Sequence, residues 1–519
     1  MAYMIEPKVN IVSYGPEFRF PNGQIMTADE FVYAAANITY KNIGALSEFM
    51  ELREDDTGLA GKVQNALIKV AGAGHASMAT TPGLWIFLEG NCSKLVDSIF
   101  TGARFGSSLM PSGRRVPITV DQIVIPPGIR EKGEEAERLY LMTSERNIHL
   151  YEELQGMGIP KQDASKIVQY GHRGGGFMFM PLETLIYFAK LAEQNPDAMP
   201  REGIEIINQM EQQMERVGMK NTYFARKSAP RASGVNPEMF HFRRNFAQEK
   251  TEENFEELKD GPKLLSLTDL PTEERSRRIQ KYLTAREEAF KDPSAIEANW
   301  PTLLTELDKI VTDFNDSVSA KIVSLVPWRV WGEIKRHRTL PQTVESVYNA
   351  ADRALDVITN GGDLELAVSM PGPIKQNSEA REMWEEAFRA SMYTYEDLIS
   401  MGVNESDAIQ VVPRGLKLGV VRTLDLFNMT TGYLSLRLCK TAEPEMRENT
   451  EKDRRLLQKS ELSADVKKLF TVKCSHTGFC PEVELCERIH QFVPFYDPEI
   501  HKLLETSRKA KIRESLESL

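Results

Sequence analysis

The sequence reads as two tandem copies of one domain, compatible with a mixed α/β class that its patterning alone would not identify, and three observations bear on that reading. Short apolar, strand-like runs alternate with long amphipathic segments. A block of residues recurs without a gap at an offset of 244. Between the two occurrences lies a stretch dense in Glu, Lys and Arg and poor in aromatics, the composition of a solvated helical linker.

At 519 residues the chain can hold two or more domains, and 41% hydrophobic with 27% charged content is ordinary for a soluble globular protein. A net charge of −11 and a pI near 5.5 argue against a general nucleic-acid or anionic-membrane binder. Local basic clusters then suit small anions or acidic partners. The first ten residues include Glu6, Pro7 and Lys8 and no signal-peptide core, and Leu84 to Leu88 is too short to span a bilayer. Five cysteines in this length make no disulfide framework. The expectation is a cytoplasmic protein.

Asn10 to Tyr14 reads as a short strand ended by Gly15-Pro16, and Thr27 as the N-cap of a helix running through Phe31 to Ile38. Lys62 to Ala71 reads as a helix broken at Gly72-Ala73-Gly74-His75. The apolar segment Trp85 to Phe100 leads into a Gly/Ser/Pro-rich basic loop from Gly102 to Arg115. Val116 to Pro126 resembles a strand, and Glu131 to Leu154 a charged helix.

The recurrence follows. Tyr151-Glu-Glu-Leu-Gln-Gly-Met157-Gly158-Ile159, then Asp163-Ala164 and Val168, returns as Tyr395-Glu-Asp-Leu-Ile-Ser-Met401-Gly402-Val403, then Asp407-Ala408 and Val412. In each copy a helix ends at Met-Gly and another begins near Asp-Ala, an αα-hairpin at the same point. The expected boundaries are a first copy over 1–230, a linker over 231–296 centred on Gln248 to Asp292, a second copy over 297–447, and a C-terminal extension over 448–519. That extension carries Cys474, His476, Cys480, Cys486 and His490. Thiolates with imidazole suit Zn²⁺, so Cys474, His476, Cys480 and Cys486 form a candidate structural metal site, against reduced cysteines in a packed tail.

Arg336-His337-Arg338 follows an apolar, Trp-bearing run. Two guanidiniums suit phosphate oxygens and the imidazole a heterocycle, while the plain alternative is a solvated basic helix end.

This triplet, with the aligned basic loop of the first copy, resembles the signature of the flavin-dependent thymidylate synthases (the ThyX family): Arg-His-Arg, a Ser, Asn-Glu, then Ser-x-Arg. Ile11-Val-Ser-Tyr-Gly, Ala34 to Tyr40, Ala408-Ile-Gln-Val-Val-Pro413 and Leu434-Ser-Leu-Arg437 are similar to other family segments. The second copy keeps Arg-His-Arg, but Pro341 stands at the Ser, Thr343 at the Asn and Val344 at the Glu. There Glu345 comes one place late, Ser346 matches, and Tyr348 replaces the last arginine. The first copy has Gly102 and Ala103 before Arg104, keeps Ser107, has Leu109 and Met110 for Asn-Glu, and retains Ser112-Gly113-Arg114. It also keeps His75-Ala-Ser77, similar to the family's flavin-contacting His-x-Ser. Only the second copy has an arginine, Arg437, like the one that activates the uracil ring. The family's helix arginine is Ser165 in one copy and Ile409 in the other.

The resemblance implies reductive methylation of dUMP to dTMP, with FAD as cofactor and methylene-tetrahydrofolate and NADPH as co-substrates. It implies an α/β fold with a small, mainly antiparallel sheet and long helices in each copy. His75, Ser77, Arg336, His337 and Arg338 would hold FAD; Ser112, Gly113, Arg114, Glu345 and Ser346 the nucleotide; Arg437 the ring. Because the losses fall in complementary places, the two copies would build one composite site, and a homodimer would give a four-domain assembly. A same-scaffold enzyme for another pyrimidine and a non-catalytic nucleotide- or flavin-binding relative are the competing readings.

Overall fold

The computed structural model describes residues 3–41, 47, 58–103, 105–112, 116–230 and 244–518. Two antiparallel four-stranded sheets, each with helices, carry the chain. The first contains β1 (Glu6–Gly15), β2 (Gly83–Asn91), β3 (Ser107–Leu109) and β4 (Gly176–Pro181), in spatial order β1-β2-β4-β3. The second contains β5 (Lys263–Asp269), β6 (Val318–Pro327), β7 (Gln342–Val344) and β8 (Lys417–Asp425), in the matching order β5-β6-β8-β7. Each first pair also shifts register at a corresponding place, between Ile11 and Ser13 opposite Ile86 and Trp85, and between Lys321 and Ile322.

The recurrence seen in sequence extends to the helices. Helix Glu134–Gly156 and helix Ser378–Ser400 begin 244 residues apart and end 244 apart. The short helices Lys161–Ala164 and Glu405–Ala408 keep the same spacing, as do the 3₁₀ turns that follow each. The two long helices pack together, and the residues between them are polar: Asn147 donates to Ser391 at 2.9 Å, and the Thr143 and Thr394 hydroxyls are 2.8 Å apart. Gln169 bridges Pro413, again 244 further on.

The chain divides into two compact units. One comprises 1–245, 327–336 and 344–418, the other 246–326, 337–343 and 419–519. The stretch expected as a linker, 231–296, is therefore no tether where it is described: it supplies β5, the helices Phe246–Glu253 and Glu273–Ala289, and part of the second unit's core through Ile279, Tyr282 and Leu283. Its charge density belongs to the exposed faces of those helices, and edge strand β5 never needed the apolar run of a central one.

Local signals explain most of the other elements. Thr27 and Glu30 form a reciprocal capping box, with the Thr27 N–H on the Glu30 carboxylate at 2.7 Å and the Glu30 N–H on the Thr27 hydroxyl at 3.3 Å. The segment Trp85 to Phe100 resolves into β2 and the helix Lys94–Phe100. Val116 to Pro126 yields only the two-residue strand Val124–Ile125, paired in parallel with Tyr3–Met4; Pro117 has no N–H to donate, and a 3₁₀ turn occupies Val120–Gln122. Among the described residues no helix is long and apolar enough to cross a membrane.

Candidate functional site

Within the first unit, a cavity of about 340 Å³ joins residues far apart in the chain. After β2 comes the seven-residue helix Lys94–Phe100, and after β6 the seven-residue helix Trp328–Ile334. These corresponding helices supply Lys94 and Ser98 to the cavity from one half, and Arg329 and Glu333 from the other, with Lys335 and Arg336 directly after the second helix. Strand β3 adds Ser108, and the loop beyond it adds Met110, Pro111 and Ser112. Tyr170 and Arg414, a further pair 244 positions apart, also line it.

The lining holds five cationic side chains and one carboxylate. Arg414 is 1% exposed; its guanidinium donates to the Ser165 carbonyl at 2.7 Å and the Val168 carbonyl at 3.2 Å. Burial, aided by Arg329, pushes its pKa down to about 10, so it stays charged at neutral pH. Lys335 lies 4.9 Å over the Trp331 ring and donates to the Ser98 carbonyl at 3.4 Å. Lys94 fastens the loop by donating to the Pro111 carbonyl at 3.0 Å. Glu333 sits 3.9 Å from Arg329, and the Tyr170 ring packs 4.0 Å from that of Trp328. Arg336 is the exposed member. Fixed donors and excess positive charge in a concave site suit a phosphate-bearing ligand.

The corresponding second-half loop is occupied by the protein itself. Glu345, expected to touch substrate, is instead buried and accepts from both Arg353 Nη2 at 2.7 Å and Arg353 Nε at 3.2 Å. Ser346 is buried at the start of helix Val347–Thr359, and the Tyr348 hydroxyl donates to the Ala198 carbonyl at 2.6 Å.

Other expected residues fall in several places. Gly113 and Arg114, with Arg104, lie outside the described residues. His75 and Ser77 are exposed on the turn entering the short helix Ser77–Thr80 and do not line the cavity. In the second unit His337 and Arg437, expected in separate flavin- and ring-directed roles, touch: Arg437 Nε donates to His337 Nε2 at 2.6 Å. That contact requires a neutral imidazole, and burial together with the Arg437 charge pushes the His337 pKa down to about 3. Tyr433 meets the His337 ring edge-on at 5.3 Å. Behind it, fully buried Arg422 binds Asp453 at 2.6 Å, the Tyr433 hydroxyl at 2.7 Å and Ser324 at 2.6 Å. Arg338 is half-buried in the same unit.

The metal site expected in the tail is not formed. Among the described residues no three His, Cys, Asp or Glu side chains stand where they could hold an ion. His476 is buried against Tyr282, whose hydroxyl lies 3.3 Å from Nδ1 and donates to the His476 carbonyl at 2.9 Å. Burial also raises the Cys474 thiol to about 12, away from the thiolate a metal needs. Cys92 and Cys439 are buried thiols outside any disulfide, and Cys92 Sγ donates to the Glu89 carbonyl at 3.0 Å.

Sequence reasoning missed Lys94, Arg329, Lys335 and Arg414. Lys94, Arg329 and Arg414 are isolated cations in ordinary contexts, while Lys335 heads the basic run Lys335 to Arg338 and was given no role of its own; only the pairing of 170 with 414 by the 244-residue offset could have drawn attention to Arg414.

A family model described as Thymidylate synthase complementing protein matches residues 24–217 and 316–460. The flavin-dependent thymidylate synthase of Thermococcus onnurineus (strain NA1) is 28% identical over 155 residues, 30% of this chain and 60% of that protein. The flavin-dependent thymidylate synthase of Pyrococcus horikoshii is 30% identical over 158 residues, with the same coverage of 30% and 60%. The chain thus matches these curated relatives over about 60% of their length. A crystal structure of a UMP/dUMP methylase PolB from Streptomyces cacaoi bound with 5-Br dUMP aligns with a TM-score of 0.34 and 14% identity, covering 45% of this chain and 100% of that one.

Proposed function

The chain belongs to the thymidylate synthase complementing protein family, and from that premise we propose that it is an FAD-dependent methyltransferase acting at C5 of a uracil nucleotide, dUMP in the first instance. The observation that carries the reading is the meeting of Ser112 from the first half and Arg336 from the second in one cationic cavity. Sequence complementarity between the degenerate copies called for such a composite site, and the closed Glu345–Arg353 loop leaves the first half's loop as the open one.

In this reading the phosphate of the nucleotide lies among Arg336, Arg414 and Ser112, and Gly113 and Arg114, next in sequence, keep the nucleotide role that the resemblance gives them. Charge-assisted hydrogen bonds from planar guanidiniums fix its orientation. His337 and Arg437, paired in the second unit, take the flavin- and ring-directed roles that the family resemblance gives them, joined by Arg338, and by His75 and Ser77 for the flavin. The cationic lining fits the phosphates of FAD as well as those of a nucleotide, and FAD when bound would supply transfer of the one-carbon unit from methylene-tetrahydrofolate, with NADPH as reductant. The chain's own part is electrostatic: charge developing on a uracil is the task the resemblance gives Arg437, whose guanidinium donates to the neutral His337 imidazole.

A second reading, a different pyrimidine nucleotide as substrate, is favoured by Tyr348. It stands where the family has an arginine, and its hydroxyl is used on the Ala198 carbonyl. The deciding experiment supplies FAD, methylene-tetrahydrofolate and NADPH and follows tritium release from C5-labelled dUMP and UMP. Release from dUMP supports the first reading and release from UMP alone the second. Nucleotide binding without any release would make the chain a non-catalytic relative, and absence of both binding and release would sink the proposal.

A further inference from the structure

The two sheets share a topology, yet one buries a charged side chain where the other buries a methionine. Strand β8 places Arg422, 0% exposed, at the position that the 244-residue offset gives to Met178 in β4, itself buried. Arg422 Nη1 donates to Asp453 Oδ2 at 2.6 Å and Nη2 to Oδ1 at 3.1 Å, a two-pronged pair with the helix Pro444–Lys459. Nη2 also donates to the Ser324 hydroxyl of β6 at 2.6 Å. Taking both charges out of water is costly, and apolar side chains in their place are often neutral or stabilising. Met178 shows the same sheet order built without such a pair, so the topology does not account for it.

What the pair holds is a ring. The Tyr433 hydroxyl accepts from Arg422 Nη1 at 2.7 Å and donates to Asp453 Oδ2 at 3.2 Å, and the Arg422 guanidinium lies 5.7 Å from the ring centroid. Tyr433 is 0% exposed, so its ring is clamped at the hydroxyl end and enclosed along its sides. It meets the His337 imidazole edge-on, at 5.3 Å and 90°. An unclamped imidazole turns over a broad, roughly two-fold well and can present either nitrogen. Against Tyr433, His337 presents Nε2 to Arg437 Nε at 2.6 Å. A guanidinium is planar, so fixing its Nε–H fixes the plane in which its two terminal amino groups lie. The offset also shows three members of this series absent together from the first half, which has Met178 for Arg422, Ala189 for Tyr433 and Glu193 for Arg437.

We propose that Tyr433, anchored by Arg422 and Asp453, is a positioning residue that sets the His337 ring and through it the Arg437 guanidinium. The task of Arg437 on a uracil ring rests on the function proposed above; the relay that orients it rests on the geometry of the second unit alone. A guanidinium set in advance needs no reorganisation as charge develops on a ligand, which is where a protein site gains over water.

The test is the imidazole tautomer of His337, read from two-bond 15N–1H correlation spectra of the full-length chain labelled at histidine and assigned with His337→Gln. Accepting from Arg437 requires Nε2 without a proton, so wild type is expected as the single Nδ1–H tautomer. Tyr433→Phe keeps the ring and releases its anchor, while Asp453→Asn removes the carboxylate that the hydroxyl and Arg422 share. Both are expected as mixtures of the two tautomers. Thr272→Ala removes the N-cap of the helix Glu273–Ala289 in the same unit, controls for general loosening, and should keep the wild-type tautomer. In tritium release from C5-labelled dUMP, kcat of Tyr433→Phe should fall at least about 10-fold with KM little changed, the mark of an interaction used in the transition state. A wild-type tautomer in either variant overturns the proposal, as does a mixture in Thr272→Ala or an undiminished kcat. Should Asp453→Asn fail to fold, Tyr433→Phe decides. A wild type that releases no tritium removes the proposed function, and the tautomer comparison then decides this proposal by itself.

Discussion

Asn147 donates its amide to Ser391, the residue 244 positions further along, at 2.9 Å, and both side chains are fully buried. Corresponding residues touch each other only next to a two-fold relation, so this contact, like the Gln169–Pro413 bridge, marks where the two halves of the first unit meet. Asn147→Ala is expected to cost about 1–3 kcal/mol, because it strands buried polar atoms. Asn147→Ala/Ser391→Ala should cost less than the two single changes together. Urea unfolding of the four proteins measures that coupling.

Arg336 is exposed and lines the cavity. Arg336→Ala should therefore weaken dUMP or UMP binding about 10- to 100-fold, the loss of one charge-assisted contact of about 1.5–3 kcal/mol, without lowering the unfolding midpoint. Calorimetric titration beside a thermal melt checks both halves of the statement.

His337 is held neutral in the fold, with its pKa at about 3 against an ordinary value near 6.5. The unfolded chain thus binds a proton that the folded one refuses between those limits. Stability from this group is complete above the ordinary value and falls as pH drops toward the lower one, by at most about 1.4 kcal/mol per pH unit. Buried His172 and His476 are shifted in the same direction and add to the slope. Replacing His337 with Gln, which keeps an acceptor for Arg437 but does not titrate, should flatten the dependence of the urea midpoint between pH 7 and about 5. An unchanged slope would show that His337 protonates normally.

Gly419 lies so close to Thr251 that a Cβ would overlap its hydroxyl. Gly419→Ala should cost about 1–3 kcal/mol by pushing helix Phe246–Glu253 off the second sheet. Adding Thr251→Ala should recover part of the loss, since it removes the nearest atom. Equilibrium unfolding and hydrogen exchange in residues 246–253 read the two effects.

The legible parts of this structure were those written in local signals. The Thr27–Glu30 capping box and the paired αα-hairpins could be read because each depends on residues a few positions apart. The cavity could be anticipated only through Ser112 and Arg336, because its other cations become neighbours through tertiary packing. The stretch from Gln248 to Asp292 was misread because β5 is a half-exposed edge strand, so charge density masked its alternation. Glu345 differed for a physical reason: displaced by one place in sequence, it meets Arg353. His476 has ligand-like spacing to its cysteines, but its Nδ1 faces the Tyr282 hydroxyl instead. Spacing alone does not reveal which way a ring turns.

Lys94 and Ser112 on one wall of the cavity, and Arg336 on the other, are covalently part of one polypeptide. A pocket assembled from separate chains is lost as those chains are diluted. Here each wall sees the other at an effective concentration set by the intervening peptide, which does not change with protein level. A cell holding only a few molecules of this protein would have as large a fraction of intact cavities as one holding thousands.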